Sequence, residues 1–179
     1  MSIVEIWDLV IGAILARLYK LLSLLRLHPN MNRVTENIWV GGANHPSFIV
    51  ENGFDAVVDL RERDDGEYTS YLEKSGVEYL RRPTPDGSGM HPRDLLATVE
   101  WIAARAKRGE KVLIHCSLGR GRAALAASSY LVYSGLDPKA ALGLVKEKRR
   151  VTYLNGHQKE AFGLFARFRG NAQKGKSHS

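Results

Sequence analysis

An α/β fold, with a mostly parallel central sheet flanked by helices, follows from three observations. Short apolar runs alternate with helix-length amphipathic segments, glycines close those segments, and one apolar run feeds a glycine-punctuated loop that opens a further helix. Ala56-Val57-Val58-Asp59-Leu60 and Val112-Leu113-Ile114 read as buried strands, apolar on both faces as a sheet between two helix layers requires. Val34 to Val40, running into Gly41-Gly42, is predicted as a first strand and Val77 to Leu80 as another. Pro46 to Asn52, Glu67 to Ser75 and Pro92 to about Arg108 read as helices, stopped by Gly53, Gly76 and Gly109. After Arg122 the pattern is helical: Ala123 to Tyr133, Pro138 to about Arg149, and Gly156 to about Arg169.

A chain of 179 residues, 44% of them apolar, supports one core of ordinary size. No linker or internal repeat divides it. Residues 1–30 form an N-terminal amphipathic segment, residues 31–170 the main domain, and residues 171–179 a basic tail too poor in apolar residues to pack, predicted to be disordered. The formal charge of +7 favours anionic partners, although Arg81-Arg82 and the run Lys146 to Arg150 also suit solvated helix faces. Nucleic acid, anionic lipid and phosphorylated molecules fit the charge equally; the cysteine loop described below selects phosphorylated substrates, and nucleic acid is not expected. A single cysteine excludes an intrachain disulfide and, with no Cys/His cluster at ligand spacing, argues against structural zinc. No metal or cofactor is expected, and the chain suits a reducing cytoplasm.

Ile3, Ile6, Trp7, Val10, Ile14, Leu18, Leu21 and Leu25 recur at helical spacing, so residues 3–27 are predicted to form an amphipathic helix. Its longest uncharged run, Leu9 to Ala16, is too short to span a bilayer. The acidic start and the lack of a small-residue cleavage pattern argue against an export signal. The apolar stripe needs a cover: the domain itself, a second copy of the chain, or a membrane interface, the last making the protein peripheral on a membrane.

The chemistry is concentrated in His115-Cys116-Ser117-Leu118-Gly119-Arg120-Gly121-Arg122, between a buried strand and an alanine-rich helix. A glycine-punctuated loop at a strand end turns successive backbone N–H groups inward, and the following helix adds its positive pole, which makes an anion nest. The same field draws a thiol inside it toward thiolate, making Cys116 a nucleophile. Arg122 closes the loop and offers two parallel N–H donors to phosphoryl oxygens, while Ser117, Leu118, Gly119, Arg120 and Gly121 line the phosphate site. The bland alternative is a core cysteine beside an ordinary turn. His115 either orients the loop or simply ends the strand, and the Arg120 side chain either adds charge for a polyanionic substrate or points to solvent. Transfer to Cys116 needs a proton donor for the departing oxygen, and Asp86 in Pro83-Thr84-Pro85-Asp86-Gly87-Ser88-Gly89 is the candidate, with Asp94 in reserve.

These residues resemble the cysteine-dependent protein tyrosine phosphatase superfamily, whose signature is HCxxGxxR followed by Ser or Thr, and especially its compact dual-specificity branch. NRVTENIWVGG, FDAVVDLRE and PTPDG extend the resemblance over Asn32 to Arg169, leaving residues 1–30 outside it. It implies a phosphomonoester hydrolase working through a phosphocysteine intermediate, with Asp86 as general acid and Gln158 as a possible positioner of the hydrolytic water. Ala123 departs from the pattern, standing where the family carries the hydroxyl that helps the sulfur leave, so the second step is expected to be slow.

The expected substrate is a phosphorylated protein, on tyrosine or on serine and threonine. Arg120 and the amphipathic N-terminus favour instead a polyanionic small molecule or lipid headgroup: an inositol phosphate, a phosphoinositide or phosphatidylglycerophosphate. A phosphate-binding pseudophosphatase and a rhodanese-like sulfur transferase are the competing classes. Arg122 and Asp86 speak against both.

Overall fold

The structure, a computed structural model, describes residues 6–63 and 65–176. Five strands form one sheet: β1 (Met31–Arg33), β2 (Ile38–Gly41), β3 (Ala56–Asp59), β4 (Glu78–Arg81) and β5 (Val112–His115), in the order β1-β2-β5-β3-β4. Only the β1–β2 pair is antiparallel. Every residue of β3 and β5 is buried, as expected of central strands covered on both faces.

Among the described residues seven α-helices surround the sheet: α1 (Gly12–Leu24, preceded by a π-helical turn over Trp7–Ile11), α2 (Pro46–Glu51), α3 (Gly66–Lys74), α4 (Pro92–Lys107), α5 (Arg122–Tyr133), α6 (Pro138–Lys148) and α7 (Gly156–Lys176). Strand residues alternate between two cores. Ile38, Val40, Val58, Val112 and Ile114 pack toward α4, α5 and α7, whereas Val57 and Leu113 pack with Ile49 of α2 and Tyr68 and Leu72 of α3. Residues Ala123 to Ser129 of α5 are all buried, and side chains that are small at every position but Leu125 let this helix lie at the centre of the larger core. The Cys116 loop emerges from the carboxyl end of β5, the central parallel strand, where an open α/β sheet places its ligands.

Three expectations are corrected. The first predicted strand is a hairpin: Val34 and Thr35 turn the chain by donating their N–H groups to the Ile38 carbonyl, and the Thr35 hydroxyl accepts from the Ile38 N–H. That turn, through the polar Thr35, Glu36 and Asn37, takes up the first half of the predicted strand and separates β1 from β2. The tail predicted to be disordered continues α7 as far as Lys176, and residues 177–179 lie outside the described residues. The N-terminal helix forms, but with its apolar stripe outward. Gly12, Ala16 and Ser23 face the domain, while Val10, Ile14, Leu18, Leu21 and Leu25 are exposed, so the domain is not their cover. Ile3 lies outside the described residues. Among the described residues no helix is long and apolar enough to cross a membrane.

Candidate active site

The loop Cys116–Gly121 joins β5 to α5 and is anchored from three sides. The Cys116 N–H donates to the Gly41 carbonyl (3.3 Å), the Ala43 N–H to the Ser117 carbonyl (2.9 Å), and the Tyr153 N–H to the Arg120 carbonyl (3.0 Å). Gly119 has φ +69°, a left-handed conformation that a side chain would strain. Gly42 lies so close beneath the loop that a Cβ there would stand 2.9 Å from the Leu118 carbonyl carbon. This curvature lets the Gly119 N–H donate to Cys116 Sγ at 3.2 Å. Cys116 is 3% exposed, and the N-terminal end of α5, beginning at Arg122, follows the loop directly.

Arg122 and Asp86 are in contact. The Arg122 guanidinium is buried, and its Nη1 donates to the carbonyls of Thr84 (2.7 Å) and Leu60 (3.2 Å) while its Nη2 lies 2.9 Å from Asp86 Oδ1. The Asp86 side chain is 82% exposed. One end of the guanidinium is thus fixed to backbone, and the other is paired with a carboxylate at the surface. Two depressions adjoin at this pair. The larger, about 650 Å³, is bordered by Lys20, Arg61, Arg63 and Ser117; the smaller, about 280 Å³, reaches Cys116, Gln158 and Arg17. Arg81, Arg82 and the reserve acid Asp94 line a different cavity beside Pro83 to Pro85, so Asp94 is not placed as the proton donor.

Other expected residues take more structural parts. The Arg120 guanidinium donates from Nε to the Val151 carbonyl (3.0 Å) and from Nη2 to the Leu9 carbonyl (3.2 Å), fastening the loop to its surroundings instead of pointing freely into solvent. Gln158 is buried in a capping box. Its Oε1 accepts from the Asn155 N–H (3.1 Å), and its own N–H donates to Asn155 Oδ1 (3.0 Å). Gln158 Nε2 also donates to the Ser88 carbonyl (3.4 Å) and Asn155 Nδ2 to the Gly87 carbonyl (2.7 Å), tying the start of α7 to the loop that carries Asp86. The Asn-x-x-Gln spacing was visible in the sequence and supplies this reading.

His115 is fully buried at the end of β5, with Nε2 3.1 Å from the Tyr68 hydroxyl and 3.7 Å from Asp59 Oδ2. Burial pushes its pKa below the ordinary imidazole value, which opposes a charged ring at neutral pH. Asp59 accepts two bonds from Arg61 Nε and Nη2 on Oδ2 and one from the Tyr79 hydroxyl at 2.7 Å. Burial alone would raise the Asp59 carboxyl; a protonated His115, the Arg61 guanidinium and the Tyr79 hydroxyl outweigh it and hold the pKa at about 2. Because the folded value lies below the ordinary 3.8, this contribution to stability is complete above about pH 5 and is lost as pH falls through 4 toward 2, amounting to about 2 kcal/mol. Thermal melts of wild type and Asp59→Asn from pH 7 to pH 3 should converge toward acid; a constant gap would contradict this linkage.

Two residues at the site escaped the sequence reading. Arg149 is 1% exposed and lies behind the loop, donating to the carbonyls of Gly119 (2.6 Å) and Leu118 (3.0 Å) and to the side-chain oxygens of Asn30 and Asn32 (both 2.8 Å). Burial lowers its pKa to about 10, which leaves it charged at neutral pH. It is a second cation of the loop, aimed at the outward-turned Leu118 and Gly119 carbonyls while the Gly119 N–H turns inward to Cys116. Lys20 of α1 donates to Ser117 Oγ at 3.1 Å, bringing the N-terminal helix to the edge of the larger depression. Among the described residues no group of three or more His, Cys, Asp or Glu side chains is placed to hold a metal ion.

A cysteine cradled at a strand end, with a buried arginine and a loop carboxylate facing it, agrees with what comparison finds. A family model described as the dual specificity phosphatase catalytic domain matches residues 38–166. Among solved structures, Tk-PTP in its active form is 31% identical, with a TM-score of 0.70 over 78% of this chain and 97% of that one. PTPMT1 in complex with PI(5)P is 19% identical with a TM-score of 0.70 (80% and 98% covered), and human DUSP28 is 23% identical with a TM-score of 0.68 (78% and 94% covered). The last two likenesses concern the fold. No curated protein sequence matches this chain significantly. By its matched domain and its fold, this chain belongs to the dual specificity phosphatase family, and it is a cysteine phosphatase.

Proposed function

We propose that the chain hydrolyses phosphomonoesters in two steps through a phosphocysteine at Cys116. Cys116 attacks phosphorus as the thiolate, the ester P–O bond breaks, and the Asp86 carboxyl gives its proton to the departing oxygen. Asp86, now a carboxylate, takes a proton from water as that water attacks phosphorus, the P–S bond breaks, and inorganic phosphate leaves. Arg122 and the N–H groups of residues 117–121 hold the equatorial oxygens through both steps. The observation that supports this reading is the Arg122–Asp86 contact at 2.9 Å, with both side chains lining the depression that reaches Cys116.

The substrates proposed are phosphorylated protein side chains, on tyrosine and on serine or threonine, in the reducing cytoplasm that a lone nucleophilic cysteine requires. A second reading, a phosphorylated lipid headgroup, is favoured by Lys20 and Arg17, which line the depressions from a helix whose other face is apolar and exposed. Turnover measured side by side on phosphopeptides and phosphoinositides separates the two: faster turnover of the peptides is expected, and the reverse order would replace the first reading by the second.

Ala123 is the second residue of α5 and fully buried, a methyl where the family pattern has a hydroxyl. With no donor there to ease departure of the thiolate, breakdown of the phosphocysteine is proposed to limit turnover. Ala123→Ser should then raise the steady-state rate by about tenfold, the effect of one added hydrogen bond to a charged group. An unchanged rate, with a burst equal to that of wild type, would show that the hydroxyl is not what limits the second step.

A further inference from the structure

Helix α1 is mounted on the domain through its small and polar face. Gly12, Ala16 and Ser23 are buried, the Ser23 hydroxyl donates to Asn44 Oδ1 at 2.9 Å, Lys20 donates to Ser117 Oγ, and Arg120 donates to the Leu9 carbonyl. The opposite face carries Val10, Ile14, Leu18, Leu21 and Leu25 at intervals of three and four residues, each between 46% and 58% exposed. A solvent-facing helix usually shows the reverse arrangement. A continuous row of this kind, held outward by contacts that fix the opposite face, marks an interaction surface.

Charge identifies what covers it. From Leu9 to Thr35 there is no acidic residue, while Arg17, Lys20, Arg26 and Arg33 are basic. Arg17 lies on the flank of the stripe and lines the smaller catalytic depression, and Lys20, nearer the domain, lines the larger. Apposing two copies through this face by a two-fold axis would set these cations against their own equivalents. An anionic lipid surface instead receives the leucines among its acyl chains and the cations among its headgroups.

We propose that α1 docks the protein on an anionic membrane surface, with the apolar stripe in the interface and the mouth of the Cys116 site beside it. The enzyme would thereby meet phosphomonoesters displayed at that surface, whichever molecule bears them. The docking is independent of the chemistry at Cys116, and it is read without substrate.

The test is co-sedimentation of the full chain with phosphatidylcholine vesicles, with and without phosphatidylglycerol, for wild type and Ile14→Asp/Leu18→Asp. Wild type is expected to pellet with the anionic vesicles and to remain monomeric in sedimentation velocity without them. The double variant should melt with wild type and lose at least about tenfold in partitioning, since each buried leucine-sized side chain contributes about that factor. If the aspartates disturb α1, Leu18→Ser/Leu21→Ser is read in the same way. Wild type left in the supernatant, a variant that partitions like wild type, or a dimer that the same substitutions split without any vesicle binding would each overturn the proposal, the last in favour of a second copy as the cover.

Discussion

Replacing Arg122 with Lys is expected to lower turnover of an aryl phosphate by on the order of 10³-fold, about 4 kcal/mol of transition-state stabilisation. The geometry gives the reason. Nη1 is already committed to the Thr84 and Leu60 carbonyls, which fixes the plane of the guanidinium and leaves its other edge toward Asp86 and the mouth. A planar fork held in that way presents parallel N–H groups to two equatorial oxygens without further ordering. A lysine ammonium keeps the charge but has neither the fork nor enough donors to hold both carbonyls and a phosphoryl group. Steady-state kinetics should therefore show a large fall in kcat, with KM changing less. A loss smaller than tenfold would mean that Arg122 supplies charge alone.

The second large effect is expected at Arg149, which touches no reacting atom. Arg149→Met keeps most of the volume but removes every donor that faces the Gly119 and Leu118 carbonyls and the Asn30 and Asn32 side chains. Several buried acceptors are then left without partners, which should cost about 3 kcal/mol of stability and lower the melting temperature by about 6–12 °C. Loss of the carbonyl anchors should also let the loop relax, turning N–H groups away from the phosphate site. Displacements of that kind reduce turnover by about 100-fold. Arg149→Lys should recover part of both effects because one cation can still reach some of the carbonyls. A Met variant that melts and turns over like wild type would remove Arg149 from the loop's support.

The loop itself was readable because its chemistry is contiguous: the proposed nucleophile, the glycines and the proposed clamp occupy seven consecutive positions after a buried strand. Asp86 became readable only beside that loop, since Pro-Asp-Gly alone signals a turn. Arg149 was hidden in the basic run from Lys146 to Arg150, which has the composition of a solvated helix end. Its burial depends on Asn32, 117 residues away, and no local pattern reports a contact of that range. Helical periodicity in α1 located the stripe but carries no information about which face meets the domain. Small residues at Gly12 and Ala16 decided that instead, by allowing close approach where leucines would not fit. The β1–β2 hairpin was missed for a different reason: Val34 and Ile38-Trp39-Val40 were joined into one strand across the polar Thr35-Glu36-Asn37, and those residues make the turn.

The electrostatic division of labour around the loop follows from these positions. Arg122 is proposed to serve the inner, phosphate-facing side; Arg149 holds the outer, carbonyl-facing side, and Asp59 with Arg61, Tyr79 and His115 braces the end of β5 from beneath. The most direct measurement is turnover of para-nitrophenyl phosphate by wild type and Cys116→Ser, the substitution that leaves shape nearly intact while replacing the thiolate with a poor nucleophile. Robust wild-type turnover and its complete loss in Cys116→Ser are predicted. Activity retained by the serine variant, or none in the wild type at any pH, would contradict Cys116 as the nucleophile.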